Sequence, residues 1–159
     1  MQVALTGASC RLGRALLADL ATEHQVRGGD LVPPPDQPQI RLADVTNAAH
    51  MEALVAGCEA VVHLAQAGWD AALPAPANEA RILDTRLKGT DALLRAAVAA
   101  GVRRVVQVSD LAIFSGYPPG TIVQEDFVPL PDTSAHQQAV YLSELIGREY
   151  ARQHPGLVL

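Results

Sequence analysis

The first fourteen residues restrict the possible folds of this chain more than any other stretch. Apolar residues in Gln2–Thr6 predict a strand, a turn of small residues begins at Gly7, and an apolar helical pattern follows from Leu12 to Leu20. A strand that enters a helix through such a turn directs backbone N–H groups and the positive end of the helix toward one point. That point is suited to bind a pyrophosphate group; a purely structural strand–turn–helix is the alternative.

The rest of the chain continues this pattern, since predicted strands alternate with predicted helices. We expect strands at Gln2–Thr6, Gln25–Asp30, Ile40–Leu42, Ala60–Ala65 and Arg104–Ser109, with a sixth beginning at Leu157. We expect the later helices to end near Val55, to span Asn78–Ala100 and to span Gln137–Gln153. Such alternation implies a parallel sheet with right-handed crossovers and helices on both faces. The predicted fold is an α/β doubly wound sheet of the Rossmann type, with strand order 3-2-1-4-5-6.

The composition excludes several classes of function. Of the 159 residues, 49% are apolar and 18% are charged, which is typical of a globular protein and indicates one domain. A net charge of −5 without a basic cluster argues against nucleic acid or an anionic membrane as a partner. The sequence contains neither an apolar run that could span a bilayer nor the layout of a signal peptide. We therefore expect a cytoplasmic protein in which Cys10 and Cys58 are free thiols.

The first turn also carries a family signature. Its spacing Thr6-Gly7-x-x-Cys10-x-x-Gly13 resembles the T-G-x-x-G-x-x-G fingerprint of short-chain dehydrogenases/reductases, with Cys10 in place of the middle glycine. Asp30 ends the next predicted strand roughly 20 residues further on, where a carboxylate can bind a ribose hydroxyl. The whole chain resembles the first part of the extended members of that superfamily, the NAD-dependent epimerase/dehydratase family. The further stretches that match are Asp44–Val45, Val62–Ala65, Lys88–Thr90, Ala100–Arg104, Glu125–Pro131 and Tyr141.

This resemblance implies a nicotinamide dinucleotide as the cofactor. The residues that it places around the cofactor are Gly7, Ser9, Cys10, Arg11, Leu12, Gly13, Asp30, Asp44, Val45, Leu64 and Ala65. Because no basic residue directly follows Asp30, the sequence favours NAD, and Arg11 leaves NADP open. The side chain of Cys10 stands where the family lets backbone approach the pyrophosphate, so we expect weakened cofactor binding. Family members continue into a substrate-binding domain, so residues 1–159 correspond to a dinucleotide-binding domain truncated in its sixth strand.

The catalytic residues that the resemblance implies are only partly present. The family's proton-transferring tyrosine corresponds to Tyr141. At the end of the fifth strand, Asp110 takes the position of the family's hydroxyl residue, and Ser109 lies one residue before it. The family's lysine, four positions after the tyrosine, is replaced by Leu145, and the only lysine in the chain is Lys88. A tyrosine without this lysine is a poor proton-transfer group, because no cation stabilises its phenolate.

We expect a charge pair in this altered site. Arg86 stands where the resemblance implies an asparagine, at helical spacing from the apolar residues Ile82 and Leu93. Since Asp110 ends the central fifth strand, we expect Arg86 and Asp110 to form one ion pair; separate contact of both side chains with water is the alternative. We interpret His63, at the end of a buried strand, as a hydrogen-bonded core histidine. The histidines and cysteines show no spacing typical of metal ligands.

Two functions therefore stay open on the sequence alone. The first is oxidoreduction or epimerisation of a sugar-like substrate, with impaired turnover. The second is a catalytically silent dinucleotide-binding or interaction module, which the missing lysine favours. Apolar residues on more than one face of the two long helices are also compatible with a homodimer.

Overall fold

The structure, a computed structural model, describes all 159 residues. Its strands are β1 (Gln2–Thr6), β2 (Gln25–Asp30), β3 (Ile40–Leu42), β4 (Ala60–His63) and β5 (Arg104–Gln107). Its α-helices are α1 (Arg11–Leu20), α2 (Ala48–Val55), α3 (Ala75–Leu83), α4 (Gly89–Ala99) and α5 (Ala135–Gln153). A π-helical turn, Asp84–Lys88, joins α3 to α4, and a 3-10 helix, Leu111–Phe114, follows β5. None of the helices combines the length and apolar character needed to cross a membrane.

The five strands are parallel and lie in the order β3-β2-β1-β4-β5, which confirms the predicted topology. The order reverses between β1 and β4, so a crevice opens between the loops that follow these strands. The expected sixth strand is represented by one parallel bridge beside β5, between Arg104 and Val158. The Val158 N–H donates to the Arg103 carbonyl at 2.9 Å, and the Val105 N–H donates to the Val158 carbonyl at 2.8 Å.

Apolar side chains cover both faces of the sheet, in agreement with the continuous apolar runs of the central strands. The larger core packs α2 and α4 against one face, around the fully buried Met51, Val61 and Leu93. The smaller core packs α1 against the other face, around Leu5 and Leu17. Burial of each large side chain contributes about 1.5–3 kcal/mol. The two cores therefore fix the carboxyl edge of the sheet, where the candidate site lies.

The long helix predicted at Asn78–Ala100 is not a single α-helix. It begins at Ala75, after Pro74, and the turn Asp84–Lys88 is π-helical. Such wider turns are rare and are frequently found at functional sites. The sequence gives no sign of this one, because Asp84–Lys88 contains neither glycine nor proline. Arg86 lies within the turn and is only 3% exposed.

Candidate functional site

The turn between β1 and α1 is compact because two glycines allow backbone atoms to approach closely. Gly7 has a φ of 67°, and a Cβ there would lie 2.9 Å from the backbone nitrogen of Ala65, just beyond β4. A Cβ on Gly13 would overlap the carbonyl oxygen of Gly7. A side chain at either position is therefore incompatible with this turn. The turn holds the N-terminus of α1 at the carboxyl ends of β1 and β4.

Cys10 is the N-cap of α1. Its backbone is extended, with φ −70° and ψ 166°, so the conformation at this position does not require glycine. The exposed thiol accepts a hydrogen bond through Sγ from the Gly13 N–H at 3.2 Å. The thiol therefore engages one of the backbone N–H groups that the N-terminus of a helix can offer to an anion.

Asp30 connects the end of β2 to the same turn. Its Oδ2 accepts a hydrogen bond from the Ser9 N–H at 2.9 Å, and its Oδ1 accepts one from the Val32 N–H at 3.2 Å. An ionised carboxylate has about four lone-pair sites, so each oxygen can still accept a bond from a hydroxyl group. The two backbone bonds fix the carboxylate at the carboxyl edge of the sheet.

A cleft of about 460 Å³ lies at this edge. Its volume is within the range of small-molecule sites, roughly 300–1,000 Å³. The predicted cofactor residues that line it are Gly7, Ser9, Cys10, Asp30, Asp44, Val45, Leu64 and Ala65. The other predicted residues do not line it, because Arg11 and Leu12 are exposed at the start of α1 and Gly13 is buried in the turn.

The cleft has further walls that the sequence did not assign. These additional lining residues are Leu31, Val32, Ala43, Gln66, Ala67, Gly68, Arg81 and Thr85. Most are chain neighbours of Asp30, Asp44 or Ala65, so a wider window around those residues would have included them. Arg81 and Thr85 come from α3 and the π-helical turn, and no local signal connects them with the cleft.

A buried hydrogen-bond network supports the wall that follows β4. The Thr6 hydroxyl accepts bonds from the N–H groups of Leu64 and Ala65, at 3.2 and 3.3 Å. It also lies 2.7 Å from Nδ1 of His63, whose Nε2 lies 3.2 Å from the Thr90 hydroxyl. Since the Thr6 oxygen already accepts two bonds, its own proton is donated to Nδ1, and the proton of the His63 ring is on Nε2. The network links β1, β4 and α4.

His63 is therefore a neutral core residue, as the sequence predicted. It is 1% exposed. Burial lowers its pKa to about 3, and the charge of the nearby Arg86 acts in the same direction. At neutral pH it does not serve as a proton donor to a substrate, because both ring nitrogens are engaged by threonine hydroxyls.

Of the predicted catalytic residues, Ser109 and Tyr141 lie where the end of β5 meets α5. The Ser109 hydroxyl donates a hydrogen bond to the carboxylate of Glu144, which lies one helical turn after Tyr141 on α5. Tyr141 is half-buried, and its hydroxyl has no hydrogen-bond partner in the structure. The two residues are thus on adjoining elements without a hydrogen bond between them, and the serine hydroxyl is already engaged.

Asp110 is also engaged by partners of its own. Its Oδ1 accepts a bond from the Ala112 N–H at 2.9 Å and so caps the 3-10 helix. Its Oδ2 lies 3.0 Å from Nε2 of His136, in the first turn of α5. The Ala112 N–H, followed by His136, lowers the pKa of Asp110. The carboxylate therefore connects the loop after β5 to α5.

The sequence as a whole matches one protein family. A model of the family described as "NAD dependent epimerase/dehydratase family" matches residues 3–159. The chain belongs to this family.

Several solved structures share the fold of this chain. A short-chain dehydrogenase/reductase superfamily protein from Agrobacterium tumefaciens with bound NAD is 31% identical, with a TM-score of 0.86 over 97% of this chain and 46% of that one. Uronate dehydrogenase from Agrobacterium tumefaciens is 28% identical, with a TM-score of 0.82 over 96% of this chain and 56% of that one. The UDP-glucose 4-epimerase of Thermus thermophilus in complex with NAD is 23% identical, with a TM-score of 0.82 over 99% of this chain and 52% of that one, which shows the fold alone.

This epimerase/dehydratase family chain spans about half the length of these solved proteins. No curated protein matches its sequence. The structure contains no group of three or more His, Cys, Asp or Glu side chains that could hold a metal ion. The cleft at the β1–α1 turn and the altered site at β5 and α5 are therefore the features on which a functional argument can rest.

The predicted ion pair between Arg86 and Asp110 is wrong. Nη2 of Arg86 donates to the Val108 carbonyl at 3.0 Å, whereas its Nε and Nη1 are buried without a hydrogen-bond partner. Burial lowers the pKa of Arg86, and the charges of Asp110 and Glu144 oppose this shift. Instead, the Asp110 carboxylate is held by the Ala112 N–H and by His136, while the Arg86 guanidinium bonds to the Val108 carbonyl. No sequence spacing could have indicated His136, since it reaches Asp110 only through the packing of α5.

No lysine replaces the one that the family pattern requires near Tyr141. Leu145 occupies that position on α5 and is 36% exposed. The only lysine, Lys88, forms an exposed salt bridge with Asp84 at 2.9 Å on the π-helical turn. The altered site therefore contains a buried arginine but no cation hydrogen-bonded to the tyrosine hydroxyl.

Proposed function

We propose that this chain binds NAD in the cleft at the β1–α1 turn. The observation that carries the proposal is the contact between Asp30 and the glycine turn, in one cleft at the point where the strand order reverses. In open parallel sheets, ligands bind outside the carboxyl ends of the strands at this switch point. The similarity to a superfamily protein with bound NAD, at 31% identity, supports the same cofactor.

The residues of the cleft fit a dinucleotide. Because Gly7 has no side chain, the turn can approach the β4 wall and still expose its backbone N–H groups to a diphosphate. The Asp30 carboxylate would bind the ribose hydroxyls of the adenosine half, and its charge would repel the 2′-phosphate of NADP. The other walls would be Asp44 and Val45 on the adenine side and Leu64 and Ala65 toward the nicotinamide.

The chemistry we propose is slow oxidoreduction or epimerisation of a sugar-like substrate. When bound, a nicotinamide ring accepts or donates a hydride. Tyr141 would exchange a proton with the substrate oxygen, but no lysine stabilises its phenolate, and the Ser109 hydroxyl already donates to Glu144. The 28% identity to uronate dehydrogenase supports a sugar-like substrate. Turnover should therefore be weak even where the cofactor binds well.

One group of contacts favours the alternative, a catalytically silent NAD-binding module. Ser109 is bonded to Glu144, Asp110 is bonded to His136, and Arg86 is bonded to the backbone of Val108. These contacts engage the Ser109 hydroxyl, the Asp110 carboxylate and one nitrogen of Arg86 from within the chain. A substrate would have to displace these contacts to reach the serine and the aspartate.

The cellular location and the oligomeric state stay predictions. Cys10 and Cys58 are free thiols, which is compatible with a reducing cytoplasm. A second copy of the chain would pack on the apolar groove between the π-helical turn and α5, which is lined by Leu87, Leu142, Leu145 and Ile146.

Fluorescence titration of NADH against the Asp30→Asn variant tests the proposed function. The variant removes the charge from the cleft, and we expect it to weaken NADH binding by about tenfold or more, as for loss of a charge-assisted hydrogen bond. Asp36→Asn is the matched control, since this exposed residue lies in the loop before β3 and outside the cleft. Failure of the parent to bind NADH, or equal binding by Asp30→Asn, would contradict the proposal.

A further inference from the structure

The cleft is lined by one cationic side chain. Arg81 reaches it from α3, and the other charged lining residues are Asp30 and Asp44. A diphosphate is negatively charged, so a cleft lined only by carboxylates would repel it. Arg81 supplies the positive charge that can offset this repulsion.

The Arg81 guanidinium is held at one end and free at the other. Its Nη2 donates to the Gly68 carbonyl at 2.6 Å and lies 3.4 Å from Oδ1 of Asn78. Asn78 is fully buried and is itself anchored to the carbonyls of Asp70 and Leu73, at 2.8 and 3.0 Å. The Arg81 Nε is buried without a partner, whereas Nη1 has no protein acceptor and is not buried. Arginine N–H groups that are fixed in this way and left unpaired are suited to bind phosphate oxygens.

The glycine turn alone offers an incomplete site for a diphosphate. The Sγ of Cys10 accepts the Gly13 N–H, so the start of α1 has one N–H fewer for an anion. Arg11 does not line the cleft. We propose that Arg81 binds the diphosphate of the dinucleotide through its free N–H groups and thereby compensates for the thiol-capped turn. This inference rests on the proposed function, because it names a further binding residue of the same cleft.

Isothermal titration of the chain with ADP and with adenosine tests the inference, since the two ligands differ only in the diphosphate. We expect Arg81→Gln to weaken ADP binding about tenfold and to change adenosine binding by less than about twofold. Arg95→Gln is the matched control. Arg95 is exposed on α4 and pairs with Asp91 at 2.6 Å, so its loss changes the net charge equally but outside the cleft. Both ligands should bind this control as they bind the parent.

The outcomes separate binding of the diphosphate from support of the loop. Equal weakening of ADP and adenosine by Arg81→Gln would mean that Arg81 only anchors Gly68, and it would overturn the inference, as would no change at all. If Arg81→Gln does not fold, Arg81→Lys decides. The lysine keeps the charge but lacks the forked N–H donors of arginine, so the affinity for ADP must fall by at least about threefold more than the affinity for adenosine. A parent chain that binds neither ADP nor NADH would overturn the proposed function itself, before any substitution is made.

Discussion

Mild acid should destabilise this protein through His63. The ring is neutral in the fold, and its pKa is lowered from 6.5 to about 3, first by burial and then by Arg86. In the unfolded chain the imidazole recovers its ordinary pKa and binds a proton as the pH falls below about 6.5. The folded protein does not bind this proton until the pH approaches about 3. Proton binding therefore stabilises the unfolded state relative to the folded state, progressively more as the pH falls through this window.

The magnitude follows from this shift. One pKa unit corresponds to about 1.36 kcal/mol, and the unfolded imidazole is already half protonated at about pH 6.5, so a fall from there to pH 5 should lower the free energy of unfolding by about 1.6 kcal/mol. A domain has about 5–15 kcal/mol of stability in total, so the loss is measurable. The lowered pKa values of Asp91 and Asp110 act in the same direction, but only below about pH 5, where carboxylates of the unfolded chain begin to bind protons. The window between about pH 6.5 and 5 therefore reports on histidine.

Urea unfolding followed by circular dichroism, at several pH values in this window, measures the effect. His63→Asn removes the titrating group, so its free energy of unfolding should change by less than about 0.5 kcal/mol over the same range. His154→Gln, just after the end of α5, should retain the slope of the parent. Parallel loss of stability in all three proteins would refute the reasoning. If His63→Asn does not fold, the titration of the His63 ring protons in the parent can be followed by NMR instead. A titration midpoint at about pH 6 in the folded protein would refute the reasoning equally.

Two further substitutions test the cleft and the altered catalytic site. Cys10→Gly removes the thiol from the turn and releases the Gly13 N–H, so NADH should bind about threefold to tenfold more tightly in a fluorescence titration; unchanged affinity would show that the thiol is no obstacle. Turnover of uronates or sugar nucleotides, measured by NADH absorbance, should be lower by a factor on the order of 10² to 10⁴ than that of a relative with the lysine, and Tyr141→Phe should abolish it. Activity that survives this substitution would exclude Tyr141 as the proton-transfer group.

The residues around the β1–α1 turn could be predicted because their determinants are local. Gly7 adopts a positive φ, and a Cβ on Gly13 would meet the backbone of Gly7 and Ala8. The position of Asp30 beside the turn could be predicted because the carboxyl ends of parallel strands meet at one edge of the sheet. Strand order followed from the alternation of strands and helices in the same way. Whether these residues bind a cofactor stays a prediction.

The altered catalytic site could not be predicted in the same way, because it depends on how distant elements pack. His136 meets Asp110 only when the first turn of α5 docks against the loop after β5. Arg86 reaches the Val108 carbonyl from a π-helical turn that no residue type announces. The complementary charges of Arg86 and Asp110, together with their positions in the family pattern, suggested that the two side chains would pair. Backbone and imidazole groups, whose positions the sequence does not give, satisfied Asp110 instead.

The cleft and the altered site meet at the π-helical turn but otherwise use different parts of this fold. The cleft is built by the β1–α1 turn, the ends of β2 and β4, the side of α3 and Thr85 of the π-helical turn, whereas the altered site is built by β5, Arg86 of the same turn and α5. The His63 network separates them, because Thr6 and His63 hold the Leu64–Ala65 wall through bonds that involve none of the altered catalytic residues. Changes at Ser109 or Asp110 can therefore alter the second site without disturbing the cleft. NADH binding without turnover would follow from this separation and would support the silent module over a slow enzyme.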